Sequence, residues 1–175
     1  MNKFADTLIV VFGSIGLATS TLAAPSGAVA EIKNAKGIKI GTATLTETPE
    51  GVSIQAGLKD LPPGAHGIHI HEKGSCLGSD FKTAGDHFAP HKKSHGLENA
   101  NGPHAGDLPN VIVAENGKAS FTGLSQGTIL GKGKNSLFKS GGTAIVIHAK
   151  ADDQLTDPAG DSGDRIACGV IKAIK

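Results

Sequence analysis

The sequence predicts an all-β domain of antiparallel strands, built as a small sandwich or barrel. Three observations carry this. Short segments rich in β-branched residues recur between turn signals. No strand–helix–strand alternation occurs, which disfavours a parallel sheet. Trp and Tyr are absent while Gly is abundant, with 25 copies, so the core must be built from Val, Ile, Leu and Ala around a backbone free to turn and loop.

In chain order, the first segment is an export signal by its pattern. Lys3 is followed by an apolar run from Thr7 to Ala18 and then by the small residues around Ala23 and Ala24. A cleaved signal is favoured over a retained membrane anchor, because the run is only just near the ~20 residues a span requires, and cleavage is expected after Ala23 because the alternative Ala28-Val29-Ala30 lies within the first expected strand. The expected organisation is a signal peptide over 1–23 and one domain over 24–175. No stable membrane association is expected after the signal is removed. The eight strands then run from Ala28 to Ile32, Ile38 to Thr46, Val52 to Leu58, Gly67 to His71, Asn110 to Ala114, Ser120 to Gly123, Thr143 to His148 and Ile166 to Ile171. Glu115-Asn116-Gly117-Lys118 is a strong hairpin signal between the fifth and sixth.

Charge and cysteine content narrow the function classes. A net charge of +1 over 175 residues leaves no basic stripe, so nucleic-acid partners are not expected. The two cysteines, Cys76 and Cys168, could form one disulfide in an oxidising compartment or remain two unpaired thiols.

Two stretches, Glu72 to Pro109 and Lys150 to Arg165, fit neither strand nor helix. Loops this long inside a compact domain need a ligand or a function to organise them. Their content supplies one. On a strand, alternation puts His69 and His71 on one face and Ile68 and Ile70 on the other, which makes a two-imidazole clamp. The first long loop adds His87, His91, His95, His104 and Asp107, a density of donors with no structural need other than metal. An N3O set of imidazoles and one carboxylate suits tetrahedral zinc. His148, at a strand end, joins His69 and His71 in a nitrogen-rich set suited to copper.

Gly67-Ile68-His69-Ile70-His71, Gly85-Asp86-His87-Phe88, His95-Gly96, His104-Ala105-Gly106-Asp107-Leu108-Pro109-Asn110 and Arg165-Ile166-Ala167-Cys168-Gly169-Val170-Ile171 together resemble the signatures of copper/zinc superoxide dismutases. The resemblance covers nearly all of the chain beyond the signal. Thr156-Asp157-Pro158-Ala159-Gly160 is similar to the bacterial branch. The resemblance implies an eight-stranded antiparallel Greek-key β-barrel or sandwich with two long functional loops. It implies a copper ion on His69, His71, His87 and His148 and a zinc ion on His87, His95, His104 and Asp107, with His87 as the bridge. It further implies superoxide as substrate, dismutated to dioxygen and hydrogen peroxide by copper alternating between Cu(II) and Cu(I).

Carried over in the same way, Arg165 guides the anion and His87 moves a proton, which makes these two the catalytic residues. Asp152 is the carboxylate joining His69 to His95, with its neighbour Asp153 the position most easily confused with it. Cys76 and Cys168 match the family's intrasubunit disulfide. His66 matches a structural position, and His91 matches no ligand. Asp86 and Ala89 depart from the family's usual residues without removing a ligand, although a carboxylate at Asp86 would oppose an anionic substrate. The expected location is periplasmic or secreted, with a homodimer possible. Two rival classes remain, a non-catalytic metal-binding module of the same fold and a plain adhesive β-sandwich.

Overall fold

The computed structural model describes residues 27–174; the expected signal peptide lies outside them. The strands are β1 (Gly27–Asn34), β2 (Lys39–Thr48), β3 (Gly51–Leu58), β4 (Gly64–His66), β5 (Ile68–His71), β6 (Val111–Val113), β7 (Ala119–Gln126), β8 (Ala144–His148) and β9 (Arg165–Ala173). The only helical piece among the described residues is a 3-10 turn at Lys82–Ala84. Seven strands form one antiparallel sheet in the order β5-β8-β9-β1-β2-β3-β7, and β4 pairs antiparallel with β6. The two-stranded piece spans the gap between the sheet's edges, because β4 runs into β5 through Gly67 and β6 lies against β7. A curled all-β barrel results.

The eight expected strands are present, and Gly64–His66 is an additional one. Two further differences have physical causes. The Asn116-Gly117 turn forms as predicted, with Ala114 N–H donating to the Lys118 carbonyl and Gly117 in left-handed backbone (φ 73). The strands it joins do not form a ladder, however, since β7 is taken by β3 and β6 by β4. The turn therefore carries the chain between sheets. Residues 127–143 form a third long irregular segment that strand patterns do not reveal; it is anchored by Leu130 and Leu137, both buried in the core.

Alternation sets the packing. Ala28, Ala30 and Ile32 of β1, Val52, Ile54, Ala56 and Leu58 of β3 and Ile145 and Ile147 of β8 point into the barrel core. In β5 and β8 the opposite face is buried too. Ala144 and Val146 of β8 pack with Phe81, Ala84 and Cys168 in a second cluster under the first long loop. The Cys76–Cys168 disulfide ties that loop to β9 across a sequence separation of 92. Thus a strand whose outer face would otherwise meet water lies beneath loops, and the outer face of β5 carries histidines rather than aliphatic residues.

Candidate metal centre

Ile68 and Ile70 sit in the barrel core, and burying each stabilises the fold by about 1.5–3 kcal/mol. That anchoring leaves His69 and His71 no choice but the opposite face. Backbone hydrogen bonds then stitch two loop segments onto β5. Ile70 N–H donates to the Gly106 carbonyl (2.8 Å), Phe88 N–H to the Ile70 carbonyl (2.8 Å), Gly106 N–H to the Phe88 carbonyl (2.9 Å) and Glu72 N–H to the Asp86 carbonyl (2.8 Å). His87 and Asp107 are thereby delivered beside His71 and His69. A Cβ on Gly106 would collide with the Ile70 carbonyl oxygen, so glycine is required at that seam. His148 arrives from the end of β8, opposite Arg165 in the register with β9.

Two adjoining quartets result. His69, His71, His87 and His148 place four ligand nitrogens within 4.8 Å of one another, as do the ligand atoms of His87, His95, His104 and Asp107. His87 belongs to both.

In the first quartet each ring is held by its rear nitrogen. His69 Nε2 donates to Asp152 Oδ2 (2.6 Å), His71 Nδ1 to the Gly85 carbonyl (2.9 Å), His148 Nδ1 to the Gly163 carbonyl (3.1 Å) and His87 Nδ1 to Asp107 Oδ1 (2.9 Å). Once those nitrogens carry the protons, the remaining four must be lone pairs. They are His69 Nδ1, His71 Nε2, His87 Nε2 and His148 Nε2, all buried and without a hydrogen-bond partner. A dry, unpaired polar atom costs roughly 1–3 kcal/mol, and no protein donor approaches any of the four. A cation that accepts several nitrogen lone pairs satisfies them all, which is the donor set and softness copper favours. Burial holds these rings neutral. It brings His69 down to about 3, His148 down to about 4 and His71 well below its ordinary value, with the neighbouring imidazoles adding to the effect.

The second quartet is organised around one carboxylate. Asp107 Oδ1 lies 2.9 Å from His87 Nδ1, 3.0 Å from His95 Nδ1 and 3.4 Å from His104 Nδ1. Its other oxygen accepts the backbone N–H of Gly96 (2.8 Å) and of His104 (2.9 Å). Burial opposes ionisation of Asp107, yet the surrounding imidazoles of His104, His87 and His95 and the Gly96 N–H hold it far below the carboxylate range. Burial also lowers His95, but its hydrogen bonds to Asp107 and Asp152 outweigh that and raise it to about 9. Three nitrogens converging on one anionic oxygen form the N3O set that zinc takes.

Asp152 links the quartets from behind, accepting from His69 Nε2 (2.6 Å) and His95 Nε2 (3.0 Å). Asp153 instead caps the exposed turn at Leu155 and Thr156. Three further contributors escape a reading of the sequence. The Asn110 side chain clamps the Asp152 backbone through two 2.8 Å hydrogen bonds. Asp157 Oδ1 accepts the His95 N–H at 2.6 Å. A side chain at Gly160 would collide with Asp152 Oδ1. Asn110 lies in one motif of the sequence and Asp157 and Gly160 in another, but neither motif reveals these roles.

Arg165 is half-buried at the start of β9, and its Nη1 donates to the Phe81 carbonyl at 3.0 Å. Phe81 has φ 52, a left-handed backbone uncommon for a bulky residue, in the loop that the disulfide secures. Burial lowers the Arg165 pKa and nearby Asp86 and Asp80 oppose that shift. His66 bridges the carbonyls of His148 and Pro62, each at 2.9 Å, as a structural tie. His91 is exposed and belongs to neither quartet.

An antiparallel β-barrel with two adjoining buried quartets that could each hold a metal ion, His87 being common to both, has the architecture of a binuclear metal-binding protein. Residues 39–171 match the family model described as Copper/zinc superoxide dismutase (SODC). Superoxide dismutase (Cu-Zn) 2 of Aquifex aeolicus (strain VF5) is 48% identical over 165 residues, which cover 93% of this chain and 96% of that protein. Among solved structures, a SOD-like protein from Bacillus subtilis is similar with a TM-score of 0.78 and 40% identity, covering 81% of this chain and 96% of that one. The Cu/Zn superoxide dismutase from Brucella abortus has a TM-score of 0.66 and 26% identity, covering 83% of this chain and 99% of that one. The chain belongs to the copper/zinc superoxide dismutase family, a family of enzymes whose cofactors are copper and zinc.

Proposed function

We propose that this protein dismutates superoxide to dioxygen and hydrogen peroxide outside the cytoplasm, with copper on His69, His71, His87 and His148 and zinc on His87, His95, His104 and Asp107. The observation that carries this reading is the membership of His87 in both quartets, its Nδ1 facing Asp107 and its Nε2 unpartnered among the copper-side nitrogens. Bound copper would supply the one-electron redox chemistry that dismutation requires. The chain supplies the rest. Arg165 presents a fixed planar cation that draws in and orients the anion. His87 Nε2, when not engaged by the ion, would take a proton from solvent and deliver it toward the reduced oxygen species, while a second proton comes from solvent. Its Nδ1, which faces Asp107 among the zinc-side ligands, would keep the ring in place while the proton moves. Asp152 and the Gly85 and Gly163 carbonyls fix the tautomers of His69, His71 and His148.

The extracytoplasmic placement rests on the export pattern at the start of the sequence and on the Cys76–Cys168 disulfide, which suits an oxidising compartment. The rival of a non-catalytic module of the same fold has less support, because the full set of His69, His71, His87, His148 and Arg165 is present. The test is the copper and zinc content per chain of the purified protein, with superoxide consumption measured before and after copper removal. One copper and one zinc, with activity lost and regained with copper, is the expected result. Metal bound without activity would favour the non-catalytic module.

A further inference from the structure

His91 is the one histidine of eight that neither quartet nor the His66 tie uses. It lines a groove of about 360 Å³ whose other walls include His104, Asp107, Ala105 and Gln126. No copper-side histidine lines this groove, and it shares no residue with the cleft formed by Asp80, Lys82, Asp164 and Arg165. The His95 and Asp107 side chains are fully enclosed, whereas the His104 side chain retains 11% exposure. Of these three ligands His104 alone keeps an edge open to water, and it lines the groove beside Asp107. His91 is exposed in the same loop, and the one cation lining the groove, Lys93, has its Nζ drawn aside onto the Gly102 carbonyl at 3.2 Å.

On these grounds, and resting on the zinc assignment above, we infer that the groove is the entry port for zinc and that His91 is its capture ligand. His91 takes a partly hydrated ion first, then passes it to His104 and Asp107. Zinc exchanges ligands stepwise, and each imidazole gained before a water is lost spares the ion a bare intermediate. Binding at His91 also makes the next step intramolecular, with the ion held at high effective concentration beside His104. A waypoint of this kind changes rates in both directions without changing the end state, because His91 is absent from the final quartet. None of the copper-side histidines lines this groove, so copper uptake is expected to be indifferent to His91.

The test uses the full chain stripped of metal by chelation, with zinc ions delivered from a chromogenic indicator whose absorbance reports transfer. His91→Ala is expected to slow zinc uptake about tenfold and to slow zinc release by the same factor, leaving the dissociation constant unchanged. His91→Asp, which keeps a ligand at the rim, should recover much of the rate, and copper uptake should match the unaltered chain. Equal zinc uptake rates for His91→Ala and the unaltered chain would overturn the port. A weakened dissociation constant with an unchanged uptake rate would do so as well, since His91 would then be part of the occupied site. Failure of the unaltered chain to take up zinc at all would instead bring down the zinc assignment itself.

Discussion

Replacing Asp152 with asparagine keeps the shape of the side chain and removes only its charge and one acceptor. The carboxylate now accepts from His69 Nε2 at 2.6 Å, His95 Nε2 at 3.0 Å and the Gln154 N–H at 2.6 Å. An amide has one oxygen and one NH2 group, so at least one of these donors must face another donor. A hydrogen bond to a charged group contributes about 1.5–3 kcal/mol. Loss of a carboxylate that orients a metal-bound imidazole typically weakens binding about 10–100-fold, which is roughly 1.4–2.8 kcal/mol at 1.4 kcal/mol per decade. The two routes agree in size. Because His69 lies in one quartet and His95 in the other, a single substitution should weaken copper and zinc together. Competition against a series of chelators of graded affinity measures both constants. Asp153→Asn, at the exposed turn, should leave both unchanged. Loss of only one metal, or constants within about twofold of the unaltered chain, would refute the role given to Asp152.

Proton linkage should separate the two sites in the metal-free chain. His95 sits at about 9, so zinc must displace its proton at neutral pH, and affinity should rise about tenfold per pH unit up to that value; calorimetry in buffers of different ionisation enthalpy should find one proton released per zinc. A raised folded-state value also means that this ion pair stabilises the metal-free fold fully below the ordinary histidine value and ceases to do so as pH rises through about 9. His69 and His148, at about 3 and 4, are already neutral, so copper binding should be nearly flat around neutral pH. Arg165→Ala should lower the superoxide rate by about tenfold or more and flatten its decline with ionic strength while leaving metal content intact, and Asp86→Gly, which removes an exposed carboxylate near Arg165, should raise the low-salt rate. Replacing both Cys76 and Cys168 with serine opens a loop of sequence separation 92, for which the chain-entropy relation gives about 4.5 kcal/mol of lost stability, read as a lower denaturant midpoint.

The barrel and part of the centre were legible in the residues. Period-two alternation alone placed Ile68 and Ile70 inside and His69 and His71 on the opposite face. The convergence of His87, His104 and Asp107 on that face could not be read from periodicity, because it depends on backbone hydrogen bonds between loop segments and β5, which leave no pattern in side-chain type. Family resemblance carried those positions. Asn110, Asp157 and Gly160 act through a backbone clamp, a backbone acceptor and the absence of a side chain, and none of these has a composition signal. The Asn116-Gly117 turn shows the limit of local rules. Its geometry follows from its residues, but the partners of the strands it joins are chosen by β3 and β4 elsewhere in the chain.

A shared imidazole between two ions is the claim on which the rest stands, and electron paramagnetic resonance addresses it most directly. With Cu(II) filling both quartets, a deprotonated His87 ring should couple the two unpaired spins and quench the resonance that the first equivalent of copper develops. Two independent Cu(II) signals that simply add as the second equivalent binds would contradict it.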